Sequence, residues 1–208
     1  MATVNPTAVW LRDRFARPRP YAPETGGDGL LFNAATAIRA ASVLVPIVDR
    51  GATLTVLFTR RTAHLSNHAG QISFPGGRAE PDDPSPEHTA LRETEEEIGL
   101  ARRHVDVLGR IHHYVTGSGY RITPVVGLVQ PPFDLAPDAR EVDEIFEVPL
   151  AHLLDRANHQ VNSVVYQGWS RHYYAMPWRD YYIWGATAGM LMNVYRFLTA
   201  PETEAAVR

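Results

Sequence analysis

QISFPGGRAEPDDPSPEHTALRETEEEIGL, residues 71–100, is the stretch on which the reading of this chain turns. A short strand running to Phe74 breaks at Pro75-Gly76-Gly77, and a helix resumes after Ser85-Pro86-Glu87, an N-cap followed by a first-position proline. Gly99 is placed to end that helix in a left-handed turn. Within it, Glu93, Glu95, Glu96 and Glu97 occupy five positions with no lysine among them. Glu93, Glu96 and Glu97 stand at i, i+3 and i+4 and share one face, while Leu91 and Ile98, seven apart, share another that can rest on a sheet. Like charges at this spacing repel, so the face requires a positive partner or full exposure to water.

A solvated acidic face is the commoner outcome for such a run. Three features argue otherwise here. Two glycines at the strand–helix junction allow close approach of the backbone to a ligand. Clustered carboxylates beside a free carbonyl are the hard oxygen donors that Mg²⁺ or Mn²⁺ takes. Arg92 precedes the cluster and can hold a neighbouring carboxylate bidentately. The missing positive partner is then read as a metal ion.

The segment resembles the Nudix box, G-x5-E-x7-R-E-U-x-E-E-x-G-U, at Gly77, Arg92, Glu93, Glu96, Glu97, Gly99 and Leu100, with Thr94 in the hydrophobic slot. Fifteen positions separate Gly77 from Arg92, one more than the general pattern, so the early acidic position falls on Asp83 or, as the second choice, Asp82. The resemblance implies metal-dependent hydrolysis of a nucleoside diphosphate linked to another group. It implies an α/β (α+β) Nudix fold, with a mixed central sheet sandwiched between helices. Glu93, Glu96, Glu97 and the Gly77 carbonyl would hold Mg²⁺ or Mn²⁺, with Arg92, Glu93 and Glu97 as the catalytic group and Glu93 as an alternative general base. A later carboxylate would join them, either Glu141, the preferred candidate, or Glu144.

Upstream, LFTRRTAHLSNHAGQISFPGG is similar to the L-L-T-x-R-[SA]-x3-R-x3-G-x3-F-P-G-G pattern of the coenzyme A pyrophosphatase branch, whose boxes carry the same insertion. Leu57, Thr59, Arg61, Gly70, Phe74, Pro75, Gly76 and Gly77 match; Thr62 stands where serine or alanine is usual, and Ser66 replaces the second arginine. The closing YYIWGATAGML also resembles that branch. The implied substrate is coenzyme A or a derivative. Arg61, His68, Gly76 and Gly77 would meet its phosphates, with Arg60 and Arg121 behind them. ADP-ribose or NADH hydrolysis is the alternative, and a non-catalytic nucleotide-binding module is a third reading.

Around these motifs, 208 residues suggest one domain, residues 31–200, with a lead-in over 1–30 and a tail over 201–208. Residues 7–16 read as a short amphipathic helix on Val9, Trp10 and Phe15, ended by RPRPYAPETGGDG. ASVLVPIVD, LTVLFTRR, VDVLGRIHHYVT and YRITPVVGLVQ read as strands, and EVDEIFEVPLAHLLD as a strand and short helix. Trp184, Ala188, Leu191, Tyr195 and Leu198 step by four and three, which predicts a core-facing helix over 184–198.

A net charge of −3 gives no basis for nucleic-acid binding, and there is no cysteine for a disulfide, a thiolate metal site or a thiol nucleophile. No apolar run is long enough for a membrane span, and the N-terminus has no secretory pattern, so a cytoplasmic protein is expected. The expected partner is a small molecule, and the chain is expected to be a monomer or homodimer. His64 and His68 lack a third ligand, and His112-His113, if on a strand, face opposite ways and cannot share an ion. No G-x-S-x-G occurs, and TGGDG lacks the Gly-Lys-Ser/Thr of a phosphate loop.

Overall fold

The structure is a computed structural model and describes residues 6–25, 38–63, 69–166 and 169–202. After helix α1 (Ala8–Ala16), strand β1 (Arg39–Asp49) is followed by β2 (Leu54–Arg61), β3 (Ile72–Ser73) and β4 (Gly76–Arg78). Helix α2 (Pro86–Ile98) leads to β5 (Val105–Arg110), β6 (Tyr114–Val115) and β7 (Tyr120–Val129). Then come β8 (Val142–Pro149), α3 (Leu150–Leu154), β9 (Gln160–Tyr166), β10 (Trp169–Trp178), β11 (Tyr181–Trp184) and α4 (Gly185–Thr199).

β1 is the organising strand. It runs parallel to β7 and antiparallel to both β2 and β4, which makes the eight-stranded sheet mixed. From Ser42 to Val48 it is buried throughout, the continuous run expected of a strand covered on both faces. The period of two divides it: Val43, Val45 and Ile47 face the core shared with α1 and α4, whereas Leu44 and Val48 face the core beneath α2. The expected α+β architecture, a mixed sheet between helices, is what the chain adopts.

α2 meets that second core through Ala90 and Ile98, both fully buried, and Leu91 packs at its edge. This leaves the acidic face directed toward the β4 side, where α2 and β4 are in contact. α4 fills the opposite layer through Met190, Leu191, Val194, Phe197 and Leu198. Trp184, placed in that helix's core stripe by spacing, instead ends β11 and is 41% exposed. The backbone is still extended at residue 184 (φ −146°), so its side chain is off the helical register.

The N-terminal segment is tied to α4. Leu11 is fully buried in the α4 core, and Arg14, itself buried, donates to the Phe197 carbonyl at 2.5 Å. Arg19 donates to the Ala200 carbonyl at 3.1 Å, so two arginines satisfy carbonyls at the C-terminal end of α4. Asn193, with no exposed surface, accepts from the Glu24 amide and donates to the Glu24 carbonyl.

β9, β10 and β11 form a separate three-stranded antiparallel sheet. Among the described residues no helix is long and apolar enough to cross a membrane.

Candidate active site

Ser85 Oγ accepts from the His88 amide at 3.2 Å, Pro86 opens α2, and Gly99 ends it at φ 71°, as its sequence predicts. The four glutamates then part. Glu95 turns away to Arg102, accepting from its amide at 2.8 Å and its Nε at 2.7 Å. Glu93, Glu96 and Glu97 stay on the β4 side, and Arg92 lies among them.

Arg92 is bidentate to Asp83, with Nε–Oδ1 at 3.1 Å and Nη2–Oδ2 at 2.9 Å. Its Nη1 also reaches Glu93 Oε1 at 3.0 Å and Glu96 Oε2 at 3.1 Å, and Nη2 donates to the Arg78 carbonyl at 3.3 Å. Asp83 is nearly buried and accepts as well from Thr89 Oγ1 and the Glu80 amide, with His88 Nδ1 at 2.8 Å. The Arg92 guanidinium, first among these partners, holds the Asp83 carboxyl far below the ordinary range. Of the two acidic candidates, Asp83 is the one that holds Arg92.

This changes the reading of the acidic face. Two of its three carboxylates, Glu93 and Glu96, have a protein cation in Arg92. Glu97 does not. It is 8% exposed and accepts from the Gly76 amide at 3.0 Å. Arg61 Nη1 is 3.8 Å from its Oε1, beyond hydrogen-bond length. Burial pushes the Glu97 carboxyl up to about 7, with Glu141 and Glu93 adding to the rise and Gly76 and Arg61 opposing it. Burial also raises Glu93, against the pull of Arg92.

Of the two later carboxylates, Glu141 lies on this side, its Oε2 3.9 Å from Arg61 Nη2. Glu144 lies elsewhere, held by Arg60 at 2.8 Å and the Tyr181 hydroxyl at 2.6 Å. A register irregularity at Arg60/Arg61 accompanies this split between consecutive arginines. Arg60 is bound to Asp143 and Glu144, whereas Arg61 stands between Glu97 and Glu141, and its buried Nε has no hydrogen-bond partner among the described residues. Arg121 is exposed on β7. His64, Ser66 and His68 lie outside the described residues. His112 and His113 follow β5 rather than sitting within a strand, and their rings stack at 4.4 Å instead of facing opposite ways.

Gly77 is fixed by contact. A Cβ built there would fall closer than 3.0 Å to both carboxylate oxygens of Glu93. Its carbonyl is in a different position from the one expected. Leu44–Pro75 and Ala40–Ala79 are backbone-bonded pairs across β1 and β4, so the alternation makes Ser42–Gly77 a bonded pair too. The Gly77 carbonyl then points into the ladder. Gly76 is the outward-facing residue, as the bond from its amide to Glu97 shows.

Among the described residues no three histidine, aspartate or glutamate side chains already converge as a metal cluster. The donors nonetheless suit a hard divalent ion. Glu93, Glu97 and Glu141 supply carboxylate oxygens, Glu97 is buried with no cation among the described residues in hydrogen-bond reach, and a side chain on Gly77 would displace Glu93. Sequence reasoning missed Arg61's place among these acids, because only the β2–β8 pairing brings Glu141 to it.

A NUDIX domain family model matches residues 38–168. The chain is 40% identical over 156 residues to the Nudix hydrolase NudL of Yersinia pestis, itself uncharacterized, covering 75% of this chain and 78% of that one. The same figures hold for NudL of Yersinia pseudotuberculosis. Among solved structures, the Nudix hydrolase RenU of M. smegmatis superposes with a TM-score of 0.47 at 25% identity, over 60% of this chain and 77% of that one. The chain belongs to the Nudix family.

Proposed function

We propose that this Nudix hydrolase cleaves the diphosphate of coenzyme A or its derivatives, giving adenosine 3′,5′-bisphosphate and (acyl)phosphopantetheine. The observation that carries this is the LFTRRTAHLSNHAGQISFPGG stretch leading into a box lengthened by one residue. The added residue falls between Asp83 and Arg92, and Asp83 fixes Arg92 through two hydrogen bonds.

In the reaction, water adds to a phosphorus of the P–O–P linkage, the bridging P–O bond breaks, and the two phosphate halves leave. Nudix hydrolases generally use divalent metal ions, and the proposed ion is Mg²⁺ or Mn²⁺. When bound, it lowers the pKa of water and offsets charge on the phosphoryl oxygens. Glu97, Glu93 and Glu141 would hold it, with Glu96 at the exposed end of the cluster and the carbonyl contributed by Gly76 rather than Gly77. Arg92 and Asp83 orient Glu93. With its raised proton affinity, Glu93 is also suited to accept a proton from attacking water. Arg61 is placed to meet a phosphate beside the carboxylates; Arg60, held by Asp143 and Glu144, is not.

Hydrolysis of ADP-ribose or NADH is the second reading, favoured by Ser66 in place of the second arginine. Product analysis after incubation with coenzyme A, dephospho-coenzyme A, ADP-ribose and NADH, with Mg²⁺ or Mn²⁺, tests the assignment. Coenzyme A species should turn over fastest. Faster turnover of ADP-ribose or NADH would overturn the substrate and leave the chemistry intact.

A further inference from the structure

β9 ends the small sheet with an open edge: among the described residues it pairs with β10 alone. Its seven residues, QVNSVVY, contain no charge and no proline, the devices that ordinarily stop such an edge from pairing with another chain. Val161, Val164 and Val165 are 64%, 50% and 73% exposed.

The ladder fixes which backbone groups are free. Tyr166 opposite Trp169 is the terminal pair of a hairpin with two intervening residues, and such a pair is hydrogen-bonded. Alternation then bonds Gln160, Asn162 and Val164 to β10 and turns the N–H and C=O groups of Val161, Ser163 and Val165 outward.

The outward set is symmetric about Ser163. An antiparallel copy centred there sets Val161 of one chain opposite Val165 of the other, and Ser163 opposite Ser163. Every outward residue then exchanges both of its backbone bonds. Val161 and Val165 lie on one face of the strand, so two copies bring four exposed valines together as cross-strand β-branched pairs. No like charges meet, because the strand carries none. The strand itself supplies the uncharged β-branched residues that this register pairs, so the occupant it fits is a second copy of the chain.

We propose that β9 is a self-association edge, through which two copies pair antiparallel about Ser163 and join their three-stranded sheets into one. One strand pair with its valines buries less than the roughly 1,200–2,000 Å² of a stable complex, so the dimer is reversible and concentration-dependent.

Analytical ultracentrifugation of the full chain from about 1 to 100 μM tests this, alongside Ser163→Pro and Val165→Lys. Proline at 163 removes an outward N–H not used in the β9–β10 ladder, and lysine at 165 sets a charged side chain opposite Val161 of the other copy in both valine pairs. The expected result is a doubled mass at the upper concentrations for the wild type, monomers for both variants, and unchanged circular dichroism and activity. A wild-type monomer throughout, or a dimer that survives both substitutions, would overturn the proposal. If Ser163→Pro does not fold, Val165→Lys alone decides.

Discussion

Gly77 and Glu93 share a space that has no room for one more carbon: a Cβ on Gly77 would lie closer than 3.0 Å to both oxygens of the Glu93 carboxylate. What it meets is the far end of a flexible side chain, so Gly77→Ala should fold, losing no more than about 1 kcal/mol. The carboxylate would be displaced, and activity should drop by about tenfold or more, since small misplacements in a reacting geometry are costly. Steady-state kinetics and a denaturant melt on the same variant check both halves. A large loss of stability with full activity in the folded fraction would contradict the account.

Glu97→Gln keeps size and removes the buried charge. If Glu97 is a metal ligand, turnover should fall about a hundredfold or more at saturating Mg²⁺. The rise in melting temperature caused by Mg²⁺ or Mn²⁺ should shrink in this variant and in a Glu96→Ala, Glu97→Ala double variant. An identical metal-induced shift in wild type and variants would place the ion elsewhere.

The same carboxyl predicts a pH dependence for metal-free protein. Its folded-state value is raised from 4.5 to about 7, so the folded state binds more protons than the unfolded one between those values. Its contribution is fully present below pH about 4.5 and is lost as pH rises through about 7, by about 3 kcal/mol at most. Glu97→Gln should flatten this part of the stability profile, and saturating Mg²⁺ should do the same to the wild type. Urea melts at pH 5 and 8, with chelator and with metal, read the difference.

Asp83→Ala should be the most destabilising change at the site. It leaves Arg92, only 16% exposed at its side chain, without its bidentate partner, and breaking such a buried pair costs about 3–5 kcal/mol. Thermal melting checks the stability, and kinetics should show activity falling with it, because Arg92 also fixes Glu93 and Glu96.

The two adjacent arginines should separate cleanly. Arg60→Ala removes exposed ion pairs to Asp143 and Glu144, contributing about 0–1 kcal/mol to stability, and should leave turnover nearly unchanged. Arg61→Ala should lower kcat/KM about ten- to a hundredfold, the loss of a charge-assisted phosphate contact. Equal effects from both would remove Arg61 from the phosphate site.

Much of the site is legible in the sequence alone. The spacing of Glu93, Glu96 and Glu97 and the signals at Ser85, Pro86 and Gly99 are local, and local rules placed them correctly. What remained hidden depends on pairing. The position of Glu141 beside Arg61 follows from β8 lying against β2, and the outward turn of Gly76 follows from the β1–β4 register. The β9–β10 hairpin is not legible, because QVNSVVY does not alternate cleanly, and the helical spacing that includes Trp184 starts α4 one residue before Gly185. The sequence suggests one carboxylate for Arg92; the folded chain gives it three, Asp83, Glu93 and Glu96.

The arginines that close the end of α4 bear on where the chain can be cut. The family model spans residues 38–168, and every acidic residue of the site falls inside it. Leu11, Arg14, Arg19 and the whole of α4 fall outside. A fragment trimmed to the family boundaries would keep the acidic residues and α3 but lose α1 and α4 from that face of the sheet, uncovering part of the core around Val43, Val45 and Ile47. It should aggregate when expressed, whereas a piece that keeps α1, Arg19 and α4 through Ala200 should stay folded.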